Sequence, residues 1–155
     1  MASKQGSKIR KRNGMRSTNG TVAFYAYLSL NLGNPGYLRV LVFDRPETNE
    51  GNGYSFHSGI FTAPRTGLYV FTWTIRSCNG NGYFQTDLLV NGLVSGKLFT
   101  NGYNYSQQYG SSTGMVVIHV GQGNQVYIRT GPSIISGTIC SDTNGYSSFA
   151  GWSID

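Results

Sequence analysis

The sequence predicts an all-β domain, a sandwich or barrel of short strands, and three observations carry that prediction. Glycine makes up 22 of the 155 residues, and the longest glycine-free stretch, Tyr37 to Glu50, also contains Pro46. That leaves no room for long helices. The segments between glycines are rich in β-branched and aromatic residues, which suit a pleated, half-buried surface. Finally, the run from Leu68 to Arg76 alternates. Tyr69, Phe71, Trp73 and Ile75 fall on one face, and Leu68, Val70, Thr72, Thr74 and Arg76 on the other.

Other elements follow the same logic. Gln125 to Arg129 alternates with Val126 and Ile128 inward, and Gly121-Gln122-Gly123 before it predicts a hairpin between two strands. Thr72 to Cys78 and Ile134 to Cys140 predict strands, each closed by a cysteine and followed by a polar turn. The tripeptide Asn-Gly-Tyr recurs at 52–54, 81–83, 101–103 and 144–146. Asn-Gly suits a type I′ hairpin turn, where both central residues need positive φ. These repeats predict tight turns, each followed by a strand-opening tyrosine.

The length suits one domain with a sizeable core. No apolar run approaches the ~18 residues of a membrane span, and no apolar signal core follows the basic start. Lys4, Lys8, Arg10, Lys11, Arg12 and Arg16 precede every acidic residue. The remainder pairs Arg39, Arg45, Arg65, Arg76, Lys97 and Arg129 with Asp44, Glu47, Glu50, Asp87, Asp142 and Asp155, so the +6 net charge belongs to the start of the chain. Residues 1–20 therefore predict a basic arm without stable structure of its own, and residues 21–155 a neutral domain. The arm is either a solvated leader or an attractor of anionic polymers such as nucleic acid, heparin or lipopolysaccharide. It has no Gly-X-Y repeat and no apolar heptads.

Catalytic groups are not found in any recognisable pattern. His57 reads as an exposed turn residue, and His119, alternating with Val117, as a packed or edge histidine. Gly-x-Ser-x-Gly and His-Glu-x-x-His are absent, and Gly121-Gln122-Gly123 lacks the strand–turn–helix context of a phosphate loop. The chain is expected not to be an enzyme. Asp44, Glu47 and Glu50 read as a solvated acidic turn, so neither a metal site nor a cofactor is predicted, and calcium has no support in the sequence. Cys78 and Cys140 either form one bridge or remain two thiols.

Phe43, Asn49, Tyr54, Phe61, Gly67, Tyr69, Phe71 and Trp73 stand at gaps that resemble the signature of the complement C1q globular head. This is a jelly-roll family shared with tumour necrosis factor. Only the last position departs, Trp73 replacing a smaller aromatic, which raises a question of local packing volume. Val22 to Ser29 resembles the family's first strand. Leu88 to Gly92, Gly114 to Arg129 and Ser147 to Ile154 extend the likeness, the last through Ser147, Phe149 and Gly151. The resemblance implies a ten-strand, two-sheet jelly-roll sandwich with Phe24, Phe43, Tyr54, Phe61, Gly67, Tyr69, Phe71, Phe149 and Trp152 in the core. It also implies a compact homotrimer and a secreted, extracellular protein whose signal peptide is absent from this sequence. With no stalk, the chain is similar to head-only invertebrate members, molluscan ones in particular.

Three functions compete. The first is lectin-like innate-immune recognition of microbial or cell-surface glycans. Tyr83, Tyr103 and Tyr146 stand in polar, Asn- and Ser-rich stretches that suit recognition loops. Flat rings suit sugar faces, with Asn144 and Asp142 as polar contacts and Arg76 or Lys97 as the cation an acidic sugar such as sialic acid needs. Alternatively, these tyrosines only finish hairpins. The second is a secreted trimeric ligand of a protein receptor. The third is a jelly-roll viral coat protein whose basic arm neutralises RNA.

Overall fold

The computed structural model describes residues 20–102 and 109–154, and among them it contains ten strands and no helix. The strands are β1 (Ala23–Tyr27), β2 (Leu32–Gly33), β3 (Arg45–Glu50), β4 (Tyr54–Ser55) and β5 (Ile60–Thr62). The longer β6 (Gly67–Val90), β7 (Leu93–Asn101), β8 (Gly110–Val120), β9 (Gln125–Ile139) and β10 (Ser148–Ser153) follow. All pairings are antiparallel.

The organising element is β6, 24 residues long. Its first half pairs with β10 and β8, and its second half with β9 and β7. Beyond β10 lie β1 and then β3, and beyond β9 lie β5 and β4, with β2 on the far end of β9. The result is a jelly roll of two packed layers, β3-β1-β10-β6-β8 and β7-β6-β9-β5-β4, sharing one strand. Tyr69, Phe71, Trp73 and Ile75 face inward in the first half, whereas Phe84, Thr86 and Leu88 do so in the second. A register shift between Cys78 and Tyr83 makes that change of parity, since an added residue swaps the faces of a strand.

The core between the layers is largely aromatic. Phe24 stacks on Tyr54 at 4.8 Å and on Phe61 at 5.0 Å, and meets Phe149 edge-on at 4.9 Å. Burying each such ring is worth about 1.5–3 kcal/mol in removed apolar area. The Tyr54 hydroxyl, inside this cluster, donates to the Phe43 carbonyl at 2.9 Å, and burial raises its pKa. Asn49 grips the Tyr54 backbone from both sides, Nδ2 donating to its carbonyl and Oδ1 accepting from its N–H. That grip accounts for the Asn at this anchor position.

Trp73 fits because its neighbours have no side chain. A Cβ at Gly114, its register partner on β8, would lie 2.7 Å from the indole, and one at Gly96 on β7 would lie 3.0 Å away. The Trp73 Nε1–H donates to Thr86 Oγ1 at 3.0 Å, tying the two layers together.

Several expectations are corrected. Trp152 is not in the core but 41% exposed. Along β10, Phe149 and Gly151 point inward, so period two sends Trp152 outward with Ala150. Asn81-Gly82 is not a turn but lies within β6 at the register shift, and the I′ hairpin belongs to Asn91-Gly92 between β6 and β7. There φ is 47° and 81°, and Val90 pairs with Leu93. Gly121-Gln122-Gly123 turns between β8 and β9, which do not pair with each other, so it links the layers rather than closing a hairpin. Of the two readings of His119 the edge one holds: it stands exposed on β8, which among the described residues pairs only with β6. His57 is exposed, as expected, its ring 4.0 Å from that of Phe56 and tilted by 38°.

Candidate ligand-binding site

The strand β6 bends where the layers meet, and the turn from β9 to β10 lies beside that bend. Cys78 on β6 and Cys140 just after β9 are joined by a disulfide, with Cα atoms 5.9 Å apart. The Cys140 N–H donates to the Arg76 carbonyl at 2.9 Å, and the Ser147 hydroxyl donates to the Cys140 carbonyl at 2.8 Å. Between these fixed points runs a tight turn. The N–H groups of Asp142 and Gly145 each donate to the other's carbonyl, at 3.0 and 3.1 Å.

Arg76 clamps this turn. Its Nη1 donates to Asp142 Oδ1 at 3.0 Å and to the Gly145 carbonyl at 2.6 Å. The Asn144 N–H also donates to Asp142 Oδ1, at 2.9 Å. The Asn144 N–H, and next the Arg76 guanidinium, hold the Asp142 carboxyl below its ordinary value of 3.8. A carboxyl lowered in the folded state stabilises above its unfolded pKa and loses that contribution as acid protonates it. The stability difference between wild type and Asp142→Asn is therefore expected to be constant above about pH 5 and to shrink below pH 3.8. Urea titrations across that range check it, and a difference that does not change with pH would remove the ion pair from the account.

Tyr146 ends the turn and stacks on Tyr27 of β1, ring centroids 4.0 Å apart and 13° from parallel. The Tyr27 hydroxyl donates to Glu47 Oε1 at 3.2 Å. Tyr27, Ser29, Arg45, Ser141, Asp142, Thr143 and Tyr146 line an open cleft of about 310 Å³. Its floor is well tied, the Ser141 N–H donating to Asn31 Oδ1 and its hydroxyl to the Leu28 carbonyl. Asp44 behind it is engaged by the Ser29 N–H and hydroxyl; these bonds hold its pKa down against partial desolvation, which is the larger single influence.

Of the sequence-predicted site residues, Arg76, Asp142, Asn144 and Tyr146 come together here. Arg76 is committed to Asp142 and Gly145 and is not a free cation. Tyr83 lies within β6, paired with Asn101 and Ser136, and does not line the cleft. Lys97, opposite Asp87 on β7, borders a separate shallow depression with Gln85, Leu98 and Phe99. Tyr103, and Tyr105 with it, lies outside the described residues. Sequence reasoning missed Tyr27 and Arg45, register partners on β1 and β3, because nothing local announces that pairing. Among the described residues no group of His, Cys, Asp or Glu is arranged to hold a metal ion, and no helix could cross a membrane.

Comparison with known proteins agrees with this geometry. The family described as C1q domain matches residues 23–154. Complement C1q tumor necrosis factor-related protein 3 of Homo sapiens is 27% identical over 131 residues, covering 84% of this chain and 50% of the relative. Caprin-2 of Danio rerio is 30% identical over 132 residues, 84% of this chain but 14% of the relative. The chain thus spans half the length, or less, of these relatives. In structure, the globular domain of zebrafish complement 1qA protein superposes with a TM-score of 0.66 at 17% identity, covering 86% of this chain and 98% of that one. Murine APRIL gives 0.66 at 11% identity, covering 88% and 100%. The anchors from Phe43 to Trp73, the shared-strand jelly roll and the match across nearly the whole domain agree, and the chain belongs to the C1q domain family.

Proposed function

We propose that this chain is a non-enzymatic extracellular recognition protein that binds glycans as a homotrimer. The observation that carries the reading is the cleft beside the β9–β10 turn. One wall is a pair of stacked tyrosines, and the rim offers Asp142, Thr143, Ser141, Ser29 and Arg45. Sugars present apolar ring faces fringed with hydroxyls, which such a wall and rim complement. Arg45, rather than Arg76 or Lys97, is the cation available to an acidic sugar. Contacts this open give about 1 mM per site, about −4 kcal/mol, and three copies raise the avidity for a multivalent surface. On a glycan array, Tyr146→Ala and Tyr27→Ala are each expected to weaken binding about tenfold, or 1.4 kcal/mol. Full retention by both would move the site elsewhere. Deleting residues 1–16 in the same assay is expected to remove only salt-sensitive binding to heparin or lipopolysaccharide; loss of neutral-glycan binding as well would undo the separate role of the arm.

The trimer reading rests on the outward face of the β1-β10-β6-β8 layer. Ala23, Trp152, Val70 and Val117 form one row across it, and Tyr25, Ala150, Thr72 and Met115 the next. Met115 is 66% exposed, and Trp152 and Val117 are exposed beside it. A protomer that leaves such a face in water gains by pairing it. Trp152→Glu with Val117→Lys is expected to yield folded monomers in analytical ultracentrifugation, and an unchanged trimer would exclude this face.

A second reading, a ligand of a protein receptor, is favoured by the loop before β3. Leu38 is held at φ 54°, unusual for a bulky residue, by its N–H bond to the Gly131 carbonyl and by Thr130, whose hydroxyl bonds Gly36 and Arg39. That backbone presents Tyr37 and Leu38 to solvent. A receptor screen in which Tyr37→Ala and Leu38→Ala have no effect would set it aside. The family match favours both readings over a viral coat protein.

A further inference from the structure

Tyr27 and Tyr146 come from distant parts of the chain, yet their rings lie face to face at 4.0 Å. Neither is locked in the core: Tyr146 is exposed and Tyr27 half-exposed. The Tyr27 phenol donates to Glu47 Oε1, so a proton acceptor already stands at the oxygen. Desolvation first, and then Glu47, raise the Tyr27 pKa, so the phenol keeps its proton at neutral pH and the carboxylate is the base. The one other tyrosine pair in ring contact among the described residues is Tyr25–Tyr27, at 6.2 Å and tilted by 39°.

We propose that Tyr27 and Tyr146 form an oxidative cross-linking site, coupled as an intrachain dityrosine by hydrogen peroxide and a peroxidase-class one-electron oxidant. Each phenol loses one electron and one proton, the proton of Tyr27 passing to Glu47 and on to solvent. The two ring radicals join through a new carbon–carbon bond between positions ortho to the oxygens. The two ortho hydrogens then return to the oxygens by way of solvent as aromaticity is restored. Two electrons and two protons in all reduce one peroxide to two waters. Holding the rings in contact favours this coupling over collision between molecules. Both side chains stand at the surface, free to turn from the stack into the linked geometry. The bond staples β1 to the β9–β10 turn across the wall of the cleft.

The test treats the full chain with a heme peroxidase and limiting peroxide, then separates monomer-sized chains from cross-linked oligomers. The monomer-sized fraction is expected to show dityrosine fluorescence, a mass lower by two hydrogen atoms, and a linked peptide pair containing Tyr27 and Tyr146. Tyr27→Phe and Tyr146→Phe each keep the stacked ring, so folding is retained and checked by circular dichroism, and each is expected to lose the linked pair entirely. Glu47→Gln is expected to slow its formation without moving the link. Persistence of the intrachain product in Tyr146→Phe would overturn the proposal. So would fluorescence confined to oligomers, or linked peptides mapping to other tyrosines.

Discussion

Trp73→Ala is expected to cost about 3–5 kcal/mol, the range for removing a large aromatic from a close-packed core. The loss has two parts. The indole fills the space between β6, β7 and β8 that Gly96 and Gly114 leave open, and removing it leaves a cavity there. Its N–H also satisfies Thr86 Oγ1, which is buried and would lose that donor. The converse substitution makes the complementarity measurable. Gly114→Ala places a methyl 2.7 Å from the indole and is expected to destabilise by about 1–3 kcal/mol through overpacking. In a Trp73→Phe background much of that penalty should vanish, because the smaller ring leaves the methyl its space. A double-mutant cycle by urea denaturation reads the coupling directly. If the two changes add without coupling, Gly114 is not what accommodates the larger aromatic.

Losing the Cys78–Cys140 bridge is the second large effect. The bond closes a loop with a sequence separation of 62, for which chain entropy gives roughly 4 kcal/mol of stabilisation. The double variant Cys78→Ser/Cys140→Ser is expected to unfold at markedly lower denaturant than the oxidised wild type, and to match the reduced wild type. An unchanged midpoint would show that the bend in β6 is fixed by its hydrogen bonds alone. The bridge joins the strand that carries Arg76 to the turn that carries Asp142. The double variant should therefore also loosen the clamp and the Tyr27–Tyr146 stack that depends on it.

The aromatic anchors were legible because each reports a local requirement. Phe43, Phe61, Tyr69 and Phe71 had to be buried, and the alternation of Tyr69, Phe71, Trp73 and Ile75 fixed which face of β6 met the core. Trp152 was misplaced although the same rule applied. It lies three residues from Phe149, so one strand could not bury both, and its size obscured that parity. The Asn-Gly-Tyr repeats at 52–54 and 144–146 do stand at turns, and Tyr54 opens β4, but the repeat at 81–83 does not. Asn91-Gly92 turns because strands pair on both sides of it, whereas Asn81-Gly82 lies inside β6, where the Gly82 carbonyl accepts from the Ser77 hydroxyl and the Gly102 N–H. The candidate site was half visible for a similar reason. Asp142, Asn144 and Tyr146 share one turn and advertise themselves as polar and exposed. Tyr27 and Arg45 join them only through the pairing of β1 with β3 and β10, which no local pattern encodes.

Because both layers are built on the same strand, they are not separable bodies that could part like the halves of a shell. Any opening wide enough to expose the amides in the middle of β6 must break pairing with β8 and β10, or with β7 and β9. Opening motions should therefore begin at strands that hold on by one neighbour without touching β6, namely β3, β4 and the short β2. The centre of β6 then exchanges its hydrogens only when the whole domain unfolds. A ligand bound at the corner turn, as proposed, would consequently meet a rigid frame. Any signal it sends onward travels by presenting the bound surface to another molecule, not by a change of shape within the domain.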